Sequence, residues 1–78
     1  MSDVNALLAL KNAWNSVVIA SDRVRELAPS VAALPDQMAL RDVDFETYHN
    51  VVLAHANAVM ALRALVEQLR AGAQPVTS

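Results

Sequence analysis

Cysteine is absent from this 78-residue chain, so neither a disulfide framework nor a thiolate metal site can stabilise it. One glycine and three prolines are too few turn residues for an all-β protein. Aromatic residues are also scarce, with one Trp, one Tyr and one Phe. A domain this small often needs oligomerisation when it lacks disulfides and metals. These absences favour a helical chain that associates with a partner.

A strong charge of either sign is missing as well. Six basic and eight acidic residues give a net charge of −2, which leaves no basic field for the phosphates of a nucleic acid. No apolar run reaches the roughly 18 residues of a membrane span. The first residues, MSDVNALL, contain no basic n-region, so we expect no signal peptide. The sequence therefore predicts a soluble, cytoplasmic protein with no nucleic-acid partner.

The first predicted helix covers residues from about 4 to 27. Ser2 or Asp3 can cap its free N–H groups, and Ala28-Pro29 should end it, because proline restricts the residue before it to extended conformations. We expect Trp14 to be its main buried residue. At helical spacing its apolar stripe comprises Leu7, Leu10, Trp14, Val17, Ser21, Val24 and Ala28.

The second predicted helix covers residues from about 45 to 71. Asp44 is its expected N-cap, which makes Val43 and Tyr48 a hydrophobic staple. Gly72 is its expected C′ residue, and residues 74–78 should fray. The seam that should close against the first helix comprises Phe45, Tyr48, Val52, His55, Val59, Leu62, Val66 and Leu69, with Val51 and Leu65 beside it.

The connector, residues 29–43, should reverse the chain and fold over one end of the helix pair. Pro35-Asp36-Gln37 is typical of the first turn of a short helix, since proline is favoured at the first position and an acid complements the helix dipole. Two helices of similar length with such a connector predict a single all-α domain. We expect an antiparallel helical hairpin with a short helix or ordered loop between its helices.

The second helix is apolar on more of its circumference than one partner helix can cover. Residues 47–62 carry no charge, and Leu53 and Met60 lie well away from its seam, flanked by Ala56 and Ala64. Leu8 and Ile19 form a second exposed apolar pair on the first helix. These six residues predict a surface for self-association, most simply a dimer that forms a four-helix bundle. The alternative is that they are ordinary exposed apolar residues of a monomer.

The two histidines do not predict a metal site. His49 and His55 are six residues apart, which separates them by about 120° around a helix, whereas the zinc motif HExxH needs a separation of four. His55 lies in the seam, where a hydrogen bond to Ser21 would satisfy it. The alternative hypothesis is that protonation of His55 weakens the assembly. We expect no metal and no cofactor.

The leading functional hypothesis is a non-enzymatic protein–protein interaction module, such as an adaptor, co-chaperone or inhibitor, that works as a homo-oligomer. No nucleophile–base pair, phosphate-binding loop or paired carboxylates is evident. The alternative is an oligomer that sequesters a small anionic metabolite or nucleotide in pockets between protomers. Its candidate ligand contacts are Trp14, Tyr48, His49 and Arg63.

The layout of two long helices around a proline-containing turn resembles several groups of small helical hairpins. These include type III secretion needle subunits and their co-chaperones, and small phage-encoded inhibitors of host defence. The segment from Pro29 to Pro35 departs from the short turn of needle subunits. The WxG turn of secreted hairpins is absent, since Asn15-Ser16 follows Trp14. The resemblance implies the hairpin fold and assigns no functional residue.

Overall fold

Two long helices make up almost all of the structure, a computed structural model that describes residues 3–73. Helix α1 spans Asp3–Ala32, a short 3-10 turn spans Leu40–Asp42, and helix α2 spans Phe45–Ala73. The helices pack against each other in a rod of 64 × 22 × 16 Å. The predicted all-α hairpin is confirmed.

Helix α1 continues past the proline that was expected to end it. The N–H of Ala33 donates to the carbonyl of Pro29 at 3.0 Å, so a regular turn follows the proline, and the helix ends only at Ala32. The predicted end at Ala28 is therefore wrong. A proline inside a helix removes one backbone hydrogen bond, and the turns on either side of Pro29 retain theirs. The extended bias of the residue before proline is overridden here.

The connector contains a short helical element, but it lies at Leu40–Asp42 and not at the predicted Pro35-Asp36-Gln37, which forms only a turn. Pro35 starts a single turn, in which its carbonyl accepts the N–H of Met38 at 3.1 Å. The 3-10 turn follows at Leu40–Asp42. Leu34, Met38 and Val43 are each half-buried. Val31 and Leu40 are exposed, so only part of the connector's apolar residues lie against the end of the hairpin.

Helix α2 begins as predicted and ends differently. Asp44 caps it, since the N–H of Thr47 donates to Asp44 Oδ1 at 3.2 Å. Val43 and Tyr48 are both half-buried, as expected of a hydrophobic staple. Gly72 lies inside the helix without a positive φ, so its predicted role as a C′ residue is wrong. The expectations for Ser2 and for residues 74–78 lie outside the described residues.

The contact between the helices follows a heptad pattern. With the exceptions of Ser21 and Val24 on α1, the least exposed positions of the two helices alternate steps of three and four residues, which is the a/d spacing of a coiled coil. Ala20 is the most buried of them, with 8% of its surface exposed. On α1 the seam comprises Ala6, Leu10, Ala13, Val17, Ala20, Val24 and Leu27, of which Val24 keeps 38% of its surface exposed. On α2 the seam comprises Tyr48, Val51, His55, Ala58, Leu62, Leu65 and Leu69.

Each seam consists of two rows of residues, and the residues of a row are spaced seven apart along the helix. Only one of the two predicted rows on each helix belongs to the observed seam. On α1 the expected row through Leu7 and Trp14 is replaced by a row through Ala6, Ala13 and Ala20. Trp14 keeps 58% of its surface exposed, so the prediction that it is the main buried residue of α1 is wrong. Alanine rows let two helix backbones approach closely, whereas a row containing Trp would hold them apart.

The same replacement occurs on α2. The expected row through Phe45, Val52, Val59 and Val66 is exposed, and the row through Val51, Ala58 and Leu65 takes its place in the seam. In both helices the row left outside contains the larger side chains on average. The hairpin therefore leaves uncovered several of the residues that hydrophobicity alone would bury first.

Candidate functional site

Two grooves lie between the helices, and the residues of α1 and α2 that line each groove show how the helices are aligned. Near the middle of the rod, Ala20 shares a groove with Val51, Ala54 and Ala58. At the open end, Ala6 lies with Leu69. As residue numbers rise along α1, the residue numbers of the neighbouring positions on α2 fall, so the helices are antiparallel. In this register Ala20 lies at the level of His55.

One long side of the hairpin is lined by the two rows that the seam leaves out. The central groove gathers Ser16 and Arg23 of α1 with Ala54 of α2, which places these residues on one side of the seam. In an antiparallel pair the rows on the other flank of each helix share the opposite side. We call this the apolar side; it comprises Leu7, Trp14, Ser21 and Ala28 of α1 with Phe45, Val52, Val59 and Val66 of α2.

The apolar side is exposed and carries no charged residue. Only Ser21 among its members is half-buried, and the others are exposed. In the register set by the grooves, Val66 and Val59 are the α2 members of this side closest in level to Leu7 and Trp14. From Leu7 to Ala28 the surface runs for about 30 Å along the rod, at 1.5 Å per residue. Apart from Ser21, its side chains are apolar and follow one another along the rod, so they form a strip rather than a set of isolated exposed residues.

The chain exposes much more surface than a folded monomer of its size. A monomer of 8.4 kDa is expected to expose about 4,600 Å². The exposed area here is 6599 Å². The excess, about 2,000 Å², arises because a rod only two helices thick has no interior beyond its seam.

Cations border the apolar side on both helices. Lys11 and Arg25 lie one turn from its residues on α1, and Arg63 and Arg70 do so on α2. Arg25 also pairs with Asp22, with its Nη2 3.3 Å from Asp22 Oδ1. Both groups are largely exposed, so this pair contributes little to stability.

The opposite side of the hairpin holds the small central groove, whose volume is about 280 Å³. Ser16 and Arg23 are its polar lining residues, and the Ser16 hydroxyl donates to the carbonyl of Asn12 at 3.1 Å. The groove is slightly smaller than a typical ligand pocket. A ligand there would meet mainly alanine and valine side chains.

The four candidate ligand contacts do not converge in the single chain. Neither Trp14, Tyr48, His49 nor Arg63 lines either groove. Trp14 lies at the level of residue 61, whereas Tyr48 lies near the connector, about 20 Å away along the rod. A shared ligand would need further residues from another protomer.

The predicted association residues are exposed, but they do not form one surface. Leu53 and Met60 keep 46% and 68% of their surface and lie on the side of α2 that points away from α1. Leu8 and Ile19 are both exposed on α1, and Ile19 also lines the central groove. Ala56 and Ala64 are exposed on either side of the Leu53 row. Contact of these six residues with another chain stays a prediction.

In the described part of the chain, no hydrogen bond joins the two polar residues at the helix contact, His55 in the seam and Ser21 beside it. Ser21 and His55 are both half-buried, yet none of the hydrogen bonds described for residues 3–73 links them. The proposed hydrogen bond between them is therefore not formed in the hairpin. In the register set by the grooves, His55 lies at the level of Ala20.

Sequence reasoning missed the apolar side because it assigned those residues to the seam. The signal was present in the sequence, since each helix carries three apolar rows and a hairpin seam uses only two.

No group of three or more His, Asp or Glu residues within residues 3–73 is placed to hold a metal ion. No helix in that range is long and apolar enough to cross a bilayer. Comparisons with family models, curated proteins and solved structures gave no match.

Proposed function

We propose that this chain is a non-enzymatic protein–protein interaction module whose core is completed by another helical chain. The observation that carries the proposal is the excess exposed area of about 2,000 Å² together with the continuous apolar side. A surface of that kind rarely stays exposed on a protein that works alone. Association would bury it and supply the hydrophobic stabilisation that the thin seam lacks.

In this proposal the module acts as a homo-oligomer and presents the remaining surface to another protein, as an adaptor, co-chaperone or inhibitor would. The Leu53 and Met60 patch lies on the outside of α2, so it remains accessible when the apolar side is covered. The hairpin then has one surface for assembly and another for a target.

The experiment is a helix melt by circular dichroism over a wide range of chain concentrations, with the mass measured in parallel. We expect the helix content and the melting temperature to rise with concentration, because association stabilises the folded state by mass action. A chain that keeps the mass of one protomer and melts cooperatively at the same temperature throughout would contradict the proposal. That result would show that the exposed apolar side needs no partner.

A further inference from the structure

We propose that the apolar side is covered by a second copy of the chain, in a face-to-face dimer whose two α1 helices run antiparallel to each other. The inference deepens the interaction module proposed above and rests on it. It names the partner, the surface and the orientation. The two hairpins would form a four-helix bundle with Trp14 near the middle of its new core.

Length and width favour a second copy as the occupant. The apolar side spans about 30 Å along the rod and includes one row from each helix. A single added helix would fit between the two rows and leave the outer part of each exposed. A second two-helix rod at least as long as this strip would cover both rows, and this chain is itself such a rod, 64 Å long and 22 Å wide.

The exposed area of the single chain is compatible with a dimer. Obligate homodimers bury about 2,000–5,000 Å² in total, or about 1,000–2,500 Å² from each chain. The excess of exposed area in this chain is about 2,000 Å². An interface within that range on each protomer would bring its exposed area closer to that of an ordinary folded protein.

The order of large and small side chains selects the antiparallel arrangement. Along α1 the apolar side has large residues in its first half, Leu7 and Trp14, and small residues in its second half, Ser21 and Ala28. A twofold axis across the rod places Trp14 against the partner's Ser21. It likewise places Leu7 against the partner's Ala28. Each large side chain then meets a small one, which is the complementarity that close packing requires.

A twofold axis along the rod gives a poorer fit. It would place α1 against α2 of the partner subunit at the same level, so that Trp14 meets the partner's Val59 and Ala28 meets the partner's Phe45. Large residues would face each other in the half that contains Trp14. The antiparallel arrangement distributes their volume evenly along the interface.

Charge sets the expected response to salt. The cations that border the apolar side would lie near the cations of the other copy at the rim of the dimer, as Lys11 would near the partner's Arg25. Repulsion between exposed like charges is screened by salt. We therefore expect the dimer to tighten when the salt concentration is raised, whereas an acidic helix bound to the same cations would bind more weakly.

The decisive test is a swap of side-chain size between positions 14 and 21, read out as the dissociation constant by sedimentation equilibrium. Ser21→Trp should clash with Trp14 of the partner subunit, and Trp14→Ser should leave a cavity. Each is expected to raise the dissociation constant at least about tenfold, as for a contact at the centre of an interface. The double variant Trp14→Ser/Ser21→Trp should restore it to within a few-fold, because each Trp again meets a Ser.

Asn15→Trp is the matched control, because Asn15 is exposed on α1 and lies outside the apolar side. It should leave the dissociation constant unchanged. A double variant that associates no better than the single variants would overturn the antiparallel pairing. A wild-type mass of one protomer at every concentration would overturn the second copy as occupant. If the single chain also has no helix content, the proposed interaction module still stands, and the partner that completes its core is a different protein.

A second measurement does not depend on interface substitutions. The chain has no native cysteine, so a spin label can be attached to Asn5→Cys or to Asn15→Cys alone. In the antiparallel dimer the two labels at position 5 lie on the order of 35 Å apart along the rod, and those at position 15 lie much closer, on the order of 10 Å. Equal distances at both positions would indicate the parallel arrangement and overturn the proposal.

Discussion

The Thr47 side chain and backbone both bind the carboxylate of Asp44. The Thr47 hydroxyl donates to Asp44 Oδ2 at 2.6 Å, and the Thr47 N–H donates to Oδ1 at 3.2 Å. Asp44 thereby satisfies a backbone donor that the first turn of α2 leaves free. We predict that Asp44→Ala lowers the melting temperature measured by circular dichroism. Asp44→Asn is the control and should retain most of the stability, because asparagine is also a good N-cap.

The same hydrogen bonds give this cap a pH dependence. The side-chain hydrogen bond from Thr47, and then its backbone hydrogen bond, hold the pKa of Asp44 below its ordinary value of 3.8. A depressed pKa stabilises the fold at pH values above the ordinary one and loses that contribution as the pH falls through the folded value. The wild-type melting temperature should thus fall more between pH 5 and pH 3 than that of Asp44→Asn. Equal falls would show that Asp44 does not contribute.

The hairpin could be predicted from the sequence because its signals are local. Asp44 marks the start of α2, and the long 3-4 patterns on either side of the connector mark two helices of similar length. The continuation through Pro29 could not be predicted, since the bias of the residue before proline is weak enough to be overridden. The 3-10 turn at Leu40–Asp42 has no strong sequence signal.

The observed seam is rotated around each helix relative to the predicted seam, and hydrophobicity alone does not predict this rotation. Rows through Leu7 and Trp14 on α1 and through Val52 and Val59 on α2 are more hydrophobic than the alanine-containing rows beside them, so hydrophobicity alone assigns them to the core. Packing between two helices depends also on how closely the backbones approach, which favours Ala13 and its neighbours. The rows wrongly assigned to the seam, through Leu7 and Trp14 on α1 and through Val52 and Val59 on α2, lie on the same side of the hairpin. The two wrong assignments therefore hide a single surface, the apolar side.

Ala20 should tolerate little extra volume. It is the most buried described residue and lies in the seam near Val51, Ala54 and Ala58 of α2. We predict that Ala20→Leu destabilises the fold by about 1–3 kcal/mol, because overpacking forces the helices apart. The measurement is urea unfolding at a fixed chain concentration. Ala9→Leu, on an exposed position of the same helix, should change stability by less than about 0.5 kcal/mol. A stabilised Ala20→Leu variant would show that the seam contains a void.

His55 places a polar ring in an otherwise apolar part of the seam. Because it has no described hydrogen bond with Ser21, we predict that His55→Leu raises the free energy of unfolding by about 1 kcal/mol. His49→Leu is the matched control, since His49 is exposed on the same helix and should have little effect. A loss of stability in His55→Leu would mean that the imidazole has a hydrogen-bond partner in another protomer.

Trp14 is the only tryptophan, so intrinsic fluorescence reports on the apolar side directly. In the single hairpin 58% of its surface is exposed, which corresponds to emission at long wavelength. Burial in an interface should shift the emission maximum to the blue and reduce quenching by acrylamide as the concentration rises. An emission maximum that stays constant while the mass doubles would place the interface elsewhere on the hairpin.

Leu53 and Met60 test whether the hairpin has a second contact surface. They point away from α1 and keep 46% and 68% of their surface exposed, so a dimer through the apolar side would leave them free. Replacing both with lysine should leave that dimer intact, because the new charges lie in solvent. We predict that the wild-type chain forms assemblies larger than two at high concentration and that Leu53→Lys/Met60→Lys stops at two.

The control for this pair is Asn50→Lys/Asn57→Lys, which adds the same charge at exposed positions of α2 outside the patch. It should assemble as the wild type does, so that a change in net charge alone is excluded as the cause. Burying two large apolar side chains contributes about 1.5–3 kcal/mol for each one, which is enough to set the order of assembly. Identical masses for the wild type and the Leu53→Lys/Met60→Lys variant at all concentrations would leave the apolar side as the sole surface of self-association.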